Sequence, residues 1–355
     1  MLAGYPGVAD HHGPLLDDAV RCHAMVEAVR AVVGSGDVVC DLGAGSGLLS
    51  VAAARAGASS VYAVEHTPMA AVCARVCRDN GADSVTVLGV HSDDAVLPPL
   101  DAIVSECFGV FGLGSTMIDD VMRLRARCLK PDGQVLPRRV RTMGALVESP
   151  ACHAFVERFD APRHGLDLSA LSDVLRSNFF QAVLEDDELA SDAAPLLEVD
   201  LRHDVPEAER HGRAQLRVNR DAVVHGIGAW FEADLTDTHP FATGPADPRT
   251  GWHQVFFPLT PREVRAGDEV VLELGLRRDA QHLFEVLWGW RHRDLEEHRS
   301  TRGSDPRTHD PSADTPSAHD PSANDPSAHD PSAHDPSGRV AGPETHVTQS
   351  NSNTR

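Results

Sequence analysis

The chain has 355 residues and an ordinary apolar content of 41%, which suffices for one large or two modest hydrophobic cores. Its 53 Asp and Glu residues against 32 Lys and Arg give a formal net charge of −21, which disfavours nucleic acid and anionic membranes as partners and mildly favours cationic substrates. The first residues lack the basic start and apolar core of a signal peptide, and no later run reaches the ~20 apolar residues of a membrane span, so we expect a cytoplasmic protein.

Apolar periodicity predicts alternating helices and strands in the first part of the chain. The expected elements are helix Leu15–Val33, strand Val38–Leu42, helix Leu48–Ala56, strand Val61–Glu65, helix Met69–Asn80, strands Val85–Leu88 and Ala102–Glu106, and helix Met117–Leu129. Strands that alternate with helices indicate right-handed βαβ units and a parallel sheet. We therefore expect an α/β fold.

After a predicted turn at Lys130–Gly133, the sequence changes to short alternating segments such as Arg139–Glu148 and Val223–Leu235. These segments predict a β-rich second unit. Between them, residues 155–188 are polar and partly helical, with the clearest helical period at Leu166–Leu175, as is typical of an insertion.

From about Asp294 the composition changes again, and residues 305–338 repeat a unit close to His-Asp-Pro-Ser-Ala. Proline at every fifth position without large apolar side chains predicts disorder, because too little surface can be buried to offset the ordering entropy. The histidines of the repeat could bind a divalent metal weakly, but a solvated linker is the simpler interpretation.

The seven cysteines have no C-x-x-C pair and no regular spacing, which predicts reduced thiols. Cys73 and Cys77 lie one helical turn apart, but no matching His or Cys pair accompanies them. We interpret them as helix packing and expect no metal site.

The most informative stretch is Asp-Leu-Gly-Ala-Gly-Ser-Gly at 41–47, between an apolar strand and an Ala-rich helix. Open α/β sheets bind nucleotide-like ligands at such a turn, and Gly43, Gly45 and Gly47 permit positive φ and close ligand approach. The dinucleotide pattern is not met, because Leu48 stands where its third glycine belongs. Glu65 at the end of the next strand can accept both hydroxyls of a ribose. The alternative is a glycine-rich turn without a ligand.

Asp41, the three glycines and Glu65 resemble the first motifs of class I S-adenosylmethionine-dependent methyltransferases. From about His12 to Trp290 the chain further resembles the protein arginine methyltransferases. The segment from His12 to Arg21 keeps that family's His, Asp and Arg, and the resemblance gives Arg21 the role of pairing with the methionyl carboxylate of the cofactor.

Asp93 stands where the family has an acid that meets the adenine amino group. A solvated loop acid is an equal alternative for this residue.

On the acceptor side, Ser105-Glu106-Cys107-Phe108-Gly109 resembles the start of a loop that carries two glutamates. Those glutamates clamp a guanidinium in line with the methyl donor, and Glu106 matches the first of them. Ser115 stands in place of the second.

The segment Thr250-Gly251-Trp252-His253 resembles the family's Thr-His-Trp loop with the His replaced by Gly251. Ser115, Trp252 and His253 are therefore acceptor-site candidates. His253 could act as a base near neutral pH, although a structural histidine is the simpler interpretation.

The resemblance implies a Rossmann-like, mostly parallel seven-stranded methyltransferase sheet followed by a β-barrel-like domain with a helical arm. The expected divisions are cofactor-covering helices at 1–36, a cofactor-binding domain at 37–137, an acceptor domain at 138–293 with an arm at about 155–188, and a disordered tail at 294–355. Because Gly165–Val174 resembles the dimerisation arm of the family, a homodimer is implied.

The leading hypothesis is methyl transfer from S-adenosylmethionine to a nitrogen of a protein or peptide side chain, either arginine or another nitrogen acceptor. One alternative is N- or O-methylation of a small molecule or modified peptide from a biosynthetic pathway. Another is a non-catalytic module that keeps the cofactor as a ligand.

Overall fold

The computed structural model describes residues 8–106, 108–278 and 284–302, with side chains from residue 12 onward. The repeat at 305–338 and its histidines, for which we predict a disordered linker, lie outside the described residues. No helix in the described part is long and apolar enough to cross a bilayer.

The helix predicted over Leu15–Val33 is two helices that meet at Asp18. The Asp18 side chain accepts a hydrogen bond from the Arg21 backbone N–H at 2.9 Å, which caps the second helix and satisfies one of its free amides. The helices are α1 (Val8–Asp17), α2 (Ala19–Val32), α3 (Leu48–Arg55), α4 (Met69–Asp79), α5 (Met117–Cys128), α6 (Pro150–Val156) and α7 (Ser169–Arg176).

The first sheet is wholly parallel, which confirms the predicted α/β class. Its strands are β1 (Val38–Leu42), β2 (Ser60–Val64), β3 (Val85–Leu88), β4 (Leu100–Val104) and β5 (Leu129–Leu136), in the order β3-β2-β1-β4-β5. The expectation of seven strands is wrong for the described chain: after β5 the chain enters an antiparallel sheet at Arg139.

The predicted turn Lys130–Gly133 lies within β5. The pairing of β5 with β4 shifts register between Leu100 and Ala102, so the extra residues are accommodated as a strand irregularity instead of a loop.

The rest of the described chain forms two antiparallel sheets. Their strands are β6 (Arg139–Val147), β7 (Phe180–Ala182), β8 (Ala194–Asp200), β9 (Glu209–Arg217), β10 (Ala222–Asp234), β11 (Pro240–Ala242), β12 (Gln254–Val264), β13 (Glu269–Arg278), β14 (Phe284–His292) and β15 (Leu295–Ser300). One sheet has the order β7-β12-β10-β6-β8, with β11 on β10, and the other has the order β15-β14-β13-β9.

Strand β15 corrects the expected start of the tail at 294. It pairs antiparallel with β14 although Leu295 is its single apolar residue, so it carries no hydrophobic alternation for sequence analysis to detect.

One contiguous hydrophobic cluster joins the parallel sheet to the antiparallel sheets. It includes Ile103 of β4, Phe111 of the loop that follows, and Phe231 of β10, all at most 1% exposed. The loop between β4 and α5 is therefore packed between the sheets, and this loop carries Glu106 and Ser115, two of the residues expected on the acceptor side.

Candidate cofactor and acceptor site

The glycine turn after β1 has the backbone conformation that its sequence predicts. Gly43, Gly45 and Gly47 have φ of 73°, 50° and 86°, where side-chain-bearing residues are strained. A Cβ on Gly43 would lie 2.6 Å from Cε of Met117, and one on Gly45 would lie 2.7 Å from Cε1 of His12. The glycines therefore let Met117 and His12 pack directly against the turn.

Two buried carboxylates flank this turn. The Glu65 carboxylate accepts hydrogen bonds from the backbone N–H of Gly45 at 2.9 Å and of Thr67 at 2.8 Å, one on each oxygen. Each oxygen keeps a further lone pair for a hydroxyl donor.

The other carboxylate, Asp41, accepts a hydrogen bond from the Ser50 hydroxyl at 2.6 Å. Burial raises the pKa of Asp41 to about 6, and the Ser50 hydrogen bond opposes that rise.

The Arg21 guanidinium is held between several groups. It forms an ion pair with Glu106, donates to the Leu15 carbonyl at 2.9 Å, and lies 5.6 Å from the centre of the Trp252 ring. Its Nε is buried and has no hydrogen-bond partner in the described chain, so the group retains an unused donor.

Aromatic rings form the wall on the acceptor side. Phe108 stacks on Phe231 with ring centres 4.8 Å apart, and Trp252 stands edge-on to both rings, at 5.8 Å from Phe108 and 5.2 Å from Phe231. Gln181 of β7 donates to the Trp252 carbonyl at 3.0 Å. The loop that carries Trp252 is thus held by packing and by a side-chain hydrogen bond.

The two departures from the family's motifs both lie at the cavity described below. The Ser115 hydroxyl accepts a hydrogen bond from the Met117 backbone N–H at 3.2 Å. The Gly251 backbone N–H donates to the Asp18 carboxylate at 2.7 Å, and a Cβ on Gly251 would meet only that carboxylate, at 3.7 Å. The main chain therefore ties the Gly251 loop to the start of α2.

A cavity of about 590 Å³ brings most of the expected site residues together. Among the residues that line it are His12, Arg21, Asp41, Gly43, Gly45, Glu65, Glu106, Ser115, Gly251 and Trp252. Asp18, Met117 and Gln181 also line it, although they were not among the expected site residues. Asp18 lies in the motif from His12 to Arg21, whereas Gln181 lies in the insertion, where no motif indicates a role.

Three expected residues are not among those that line the cavity. Gly47 packs against Cys73 of α4 instead, with the site of a Cβ 3.0 Å from the sulfur. Asp93 is exposed in the short 3₁₀ turn Ser92–Asp94, where it pairs with Arg123 at 3.3 Å. His253 has φ of 51° and donates its backbone N–H to Thr250 at 3.2 Å.

The residues of the cavity fit a nucleoside that carries an amino acid. The volume lies within the range of roughly 300–1,000 Å³ that is usual for ligand sites. Glu65 retains acceptor capacity for ribose hydroxyls, and Arg21 retains a donor for a carboxylate. Gly43 and Gly45 of the turn line the same cavity and carry no side chain there, so the residues present match S-adenosylmethionine.

Comparisons with known proteins show which families this chain resembles. Residues 152–293 match the family model of the arginine methyltransferase oligomerization subdomain, and residues 21–127 match that of the ribosomal protein L11 methyltransferase.

An arginine N(omega)-methyltransferase of Streptomyces achromogenes subsp. streptozoticus is 34% identical over 74% of this chain and 75% of its own length. Protein arginine N-methyltransferase PRMT10 of Oryza sativa subsp. japonica is 31% identical over 77% and 82%. The solved Trypanosoma brucei PRMT1 enzyme-prozyme complex with AdoHcy covers 82% of this chain and 97% of its own, with a TM-score of 0.74 and 23% identity, which supports the fold. The chain belongs to the protein arginine methyltransferase family and is an S-adenosylmethionine-dependent methyltransferase.

Proposed function

We propose that this methyltransferase acts on a guanidinium nitrogen of arginine. The observation that carries the proposal is that Glu106 already binds a guanidinium, that of Arg21, in the same cavity as the glycine turn. A carboxylate beside an aromatic wall is suited to a planar cation, which it can hold by hydrogen bonds while the rings exclude water.

In this proposal the residues of the chain act by positioning. S-adenosylmethionine supplies a sulfonium methyl, which the acceptor nitrogen takes in an in-line displacement that leaves S-adenosylhomocysteine and releases one proton. Glu106 orients the guanidinium and draws its positive charge toward one nitrogen, so that another nitrogen offers its lone pair. Arg21 holds the carboxylate of the cofactor and Glu65 holds its ribose.

The acceptor end has one glutamate where the family pattern has two, because Ser115 replaces the second. A hydroxyl supplies a hydrogen bond but no charge, so the clamp on a guanidinium is weaker there. This departure favours a second candidate, an acceptor other than a protein-bound arginine. Since the Streptomyces relative is named for arginine and the Oryza relative for protein arginine, free arginine and arginine peptides are both to be tested.

We also infer a homodimer. The region 152–293 matches an oligomerization subdomain, and α7 exposes apolar side chains, with Leu171 46% and Val174 58% exposed. Leu166, just before this helix, is 59% exposed. Contiguous exposed apolar residues are typical of an interface.

We propose that the chain divides functionally at residues 36 and 137, as the motifs suggest, and that the acceptor domain extends to the end of β15 at Ser300. A cytoplasmic location is proposed because the six cysteines of the described residues are free thiols.

The experiment that tests the acceptor uses labelled S-adenosylmethionine with the full-length chain. Free L-arginine, an arginine-rich peptide, a matched lysine-rich peptide and a small-molecule extract are incubated separately. We expect label in L-arginine or the arginine peptide and none in the lysine peptide. Label only in the extract would replace the guanidinium proposal with the small-molecule alternative. If no sample were labelled although the analogue S-adenosylhomocysteine bound, the non-catalytic alternative would be supported.

A further inference from the structure

Two consecutive acidic residues, Asp119 and Asp120, lie in the first turn of α5, and they have different partners. Asp119 is 3% exposed, and its carboxylate forms ion pairs with Arg210 of β9, at 3.4 Å, and with Arg278 of β13. Asp120 is 5% exposed and pairs with Arg123 on the same helix. Asp119 thus links the helix to one of the antiparallel sheets, whereas Asp120 does not.

The pairs of Asp119 are largely withdrawn from water. The Arg210 and Arg278 side chains are only 12% and 16% exposed. Removal of one partner from a buried ion pair leaves uncompensated charge, which a low-dielectric environment penalises. The position of the first turn of α5 is therefore strongly coupled to β9 and β13.

That first turn also contacts the glycine turn. Met117, two residues before Asp119, lines the cavity, and its methyl lies 2.6 Å from where a Cβ on Gly43 would stand. A displacement of α5 would move Met117 relative to the backbone that receives the cofactor. A misplacement of about 1 Å caused far from the reacting atoms can cost about 100-fold in reaction rate, so the position of Met117 against the turn matters.

We propose that Asp119 is a positioning residue for the cofactor. Its ion pairs with Arg210 and Arg278 hold the start of α5 so that Met117 closes against Gly43. The inference rests on the cofactor use established above and deepens the proposed function, but it is independent of which acceptor is methylated. Its readout is therefore the affinity for the cofactor.

The test compares Asp119→Asn with Glu207→Gln in the full-length chain. Glu207 is the matched control because it is the other carboxylate on Arg210, at 3.0 Å, but its side chain is 55% exposed. The dissociation constant for S-adenosylhomocysteine is measured by calorimetry at a temperature where circular dichroism shows each variant folded. The KM values for S-adenosylmethionine and for the acceptor are measured in parallel.

For Asp119→Asn we expect about tenfold weaker binding of S-adenosylhomocysteine and a similar rise in KM for S-adenosylmethionine, while the KM for the acceptor stays within about twofold. Glu207→Gln should match the wild type, and Asp119→Glu should recover part of the affinity. If Asp119→Asn lost thermal stability but kept the wild-type cofactor affinity, the residue would be merely structural and the proposal overturned.

If Asp119→Asn fails to fold, Arg278→Lys is the second variant. It keeps the positive charge but loses the planar guanidinium that can donate two parallel hydrogen bonds to Asp119. It should weaken binding of S-adenosylhomocysteine about threefold, and an unchanged affinity would equally overturn the proposal.

Discussion

The Arg21 guanidinium and the Glu106 carboxylate form a direct ion pair, although the family motifs place Arg21 with the methyl donor and Glu106 with the acceptor. Both residues line one cavity, with Trp252 beside them. If the carboxylate of the bound cofactor pairs with Arg21, the Glu106 carboxylate becomes available to a second cation, that of the acceptor. In the proposed function, recognition of the methyl donor and of the acceptor therefore depends on this one pair of charges.

Replacement of Glu106 by Gln tests its role in turnover. We expect kcat to fall at least about 100-fold, because an amide cannot polarise a guanidinium as a carboxylate does. The dissociation constant for S-adenosylhomocysteine should stay within about threefold, since Arg21 and Glu65 remain. Steady-state kinetics and calorimetry measure the two quantities, with Glu27→Gln, which breaks the exposed pair with Arg30, as control. Near wild-type turnover would refute the role of Glu106.

Glu65 and Asp93 offer a matched comparison on the cofactor side. Glu65→Gln should weaken binding of S-adenosylhomocysteine more than about tenfold, because an amide has only one acceptor oxygen to serve both backbone N–H donors and ribose hydroxyls. Asp93→Asn should change the affinity less than about threefold, because Asp93 is exposed and paired with Arg123. Calorimetry measures the affinity of both variants for S-adenosylhomocysteine. A larger loss of affinity for Asp93→Asn than for Glu65→Gln would support a contact of Asp93 with adenine.

The acceptor departures predict a gain of function. Ser115→Glu combined with Gly251→His should increase the methylation of an arginine-rich peptide at least about tenfold, because a second carboxylate strengthens the clamp on a guanidinium. A Cβ at position 251 would meet only the Asp18 carboxylate, at 3.7 Å, so the replacement starts without a clash. The peptide assay with labelled cofactor measures the effect. Efficient methylation of the same peptide by the wild type would show that the departures do not limit this acceptor.

The exposed apolar residues of α7 predict a dimer interface that negatively charged substitutions would disrupt. Leu171→Asp with Val174→Asp should convert the dimer to a monomer, because burial of two carboxylates in an apolar interface is unfavourable. Size-exclusion chromatography with light scattering gives the molar mass. Val205→Asp, at a 62% exposed position outside α7, is the control and should remain a dimer. A wild type that is monomeric at all concentrations would contradict the homodimer.

The raised pKa of Asp41 predicts a pH-dependent stability. Its pKa is about 6 in the folded chain against an ordinary 3.8, so the folded state binds the proton more tightly than the unfolded state. The stabilisation by the protonated form is therefore lost as the pH rises through 6. Between pH 5 and pH 7.5 the wild type should lose roughly 1 kcal/mol of unfolding free energy relative to Asp41→Asn. Urea denaturation of both proteins at the two pH values measures this difference, and equal losses would contradict the assignment.

The parallel sheet was predictable from the sequence because its strands and helices carry clear apolar periods. The bounds of β1 and β3 agree with the prediction, since each is a short apolar run bordered by polar residues or glycine. The break at Asp18 was missed because a capping residue interrupts a helix without interrupting its apolar pattern. Strand β15 was missed because its stability comes from main-chain pairing with β14 and not from apolar side chains.

At the site, the motifs indicated residues that the structure brings to one cavity, such as Glu65, Glu106 and Trp252, and their roles stay predictions. The ion pair between Arg21 and Glu106 joins residues 85 positions apart, and the hydrogen bond between Gly251 and Asp18 joins residues 233 apart. Such contacts depend on how the sheets pack against each other. The spacing of residues along the chain does not indicate that packing. Gln181 was missed for the same reason.

The hydrogen bond from Gly251 to Asp18 is made by the main chain and would survive almost any replacement of the residue at 251. The side chain at position 251 is consequently not needed to hold this loop against the start of α2. A side chain introduced at position 251 would therefore change the lining of the cavity while the main-chain link from this loop to the start of α2 stays intact.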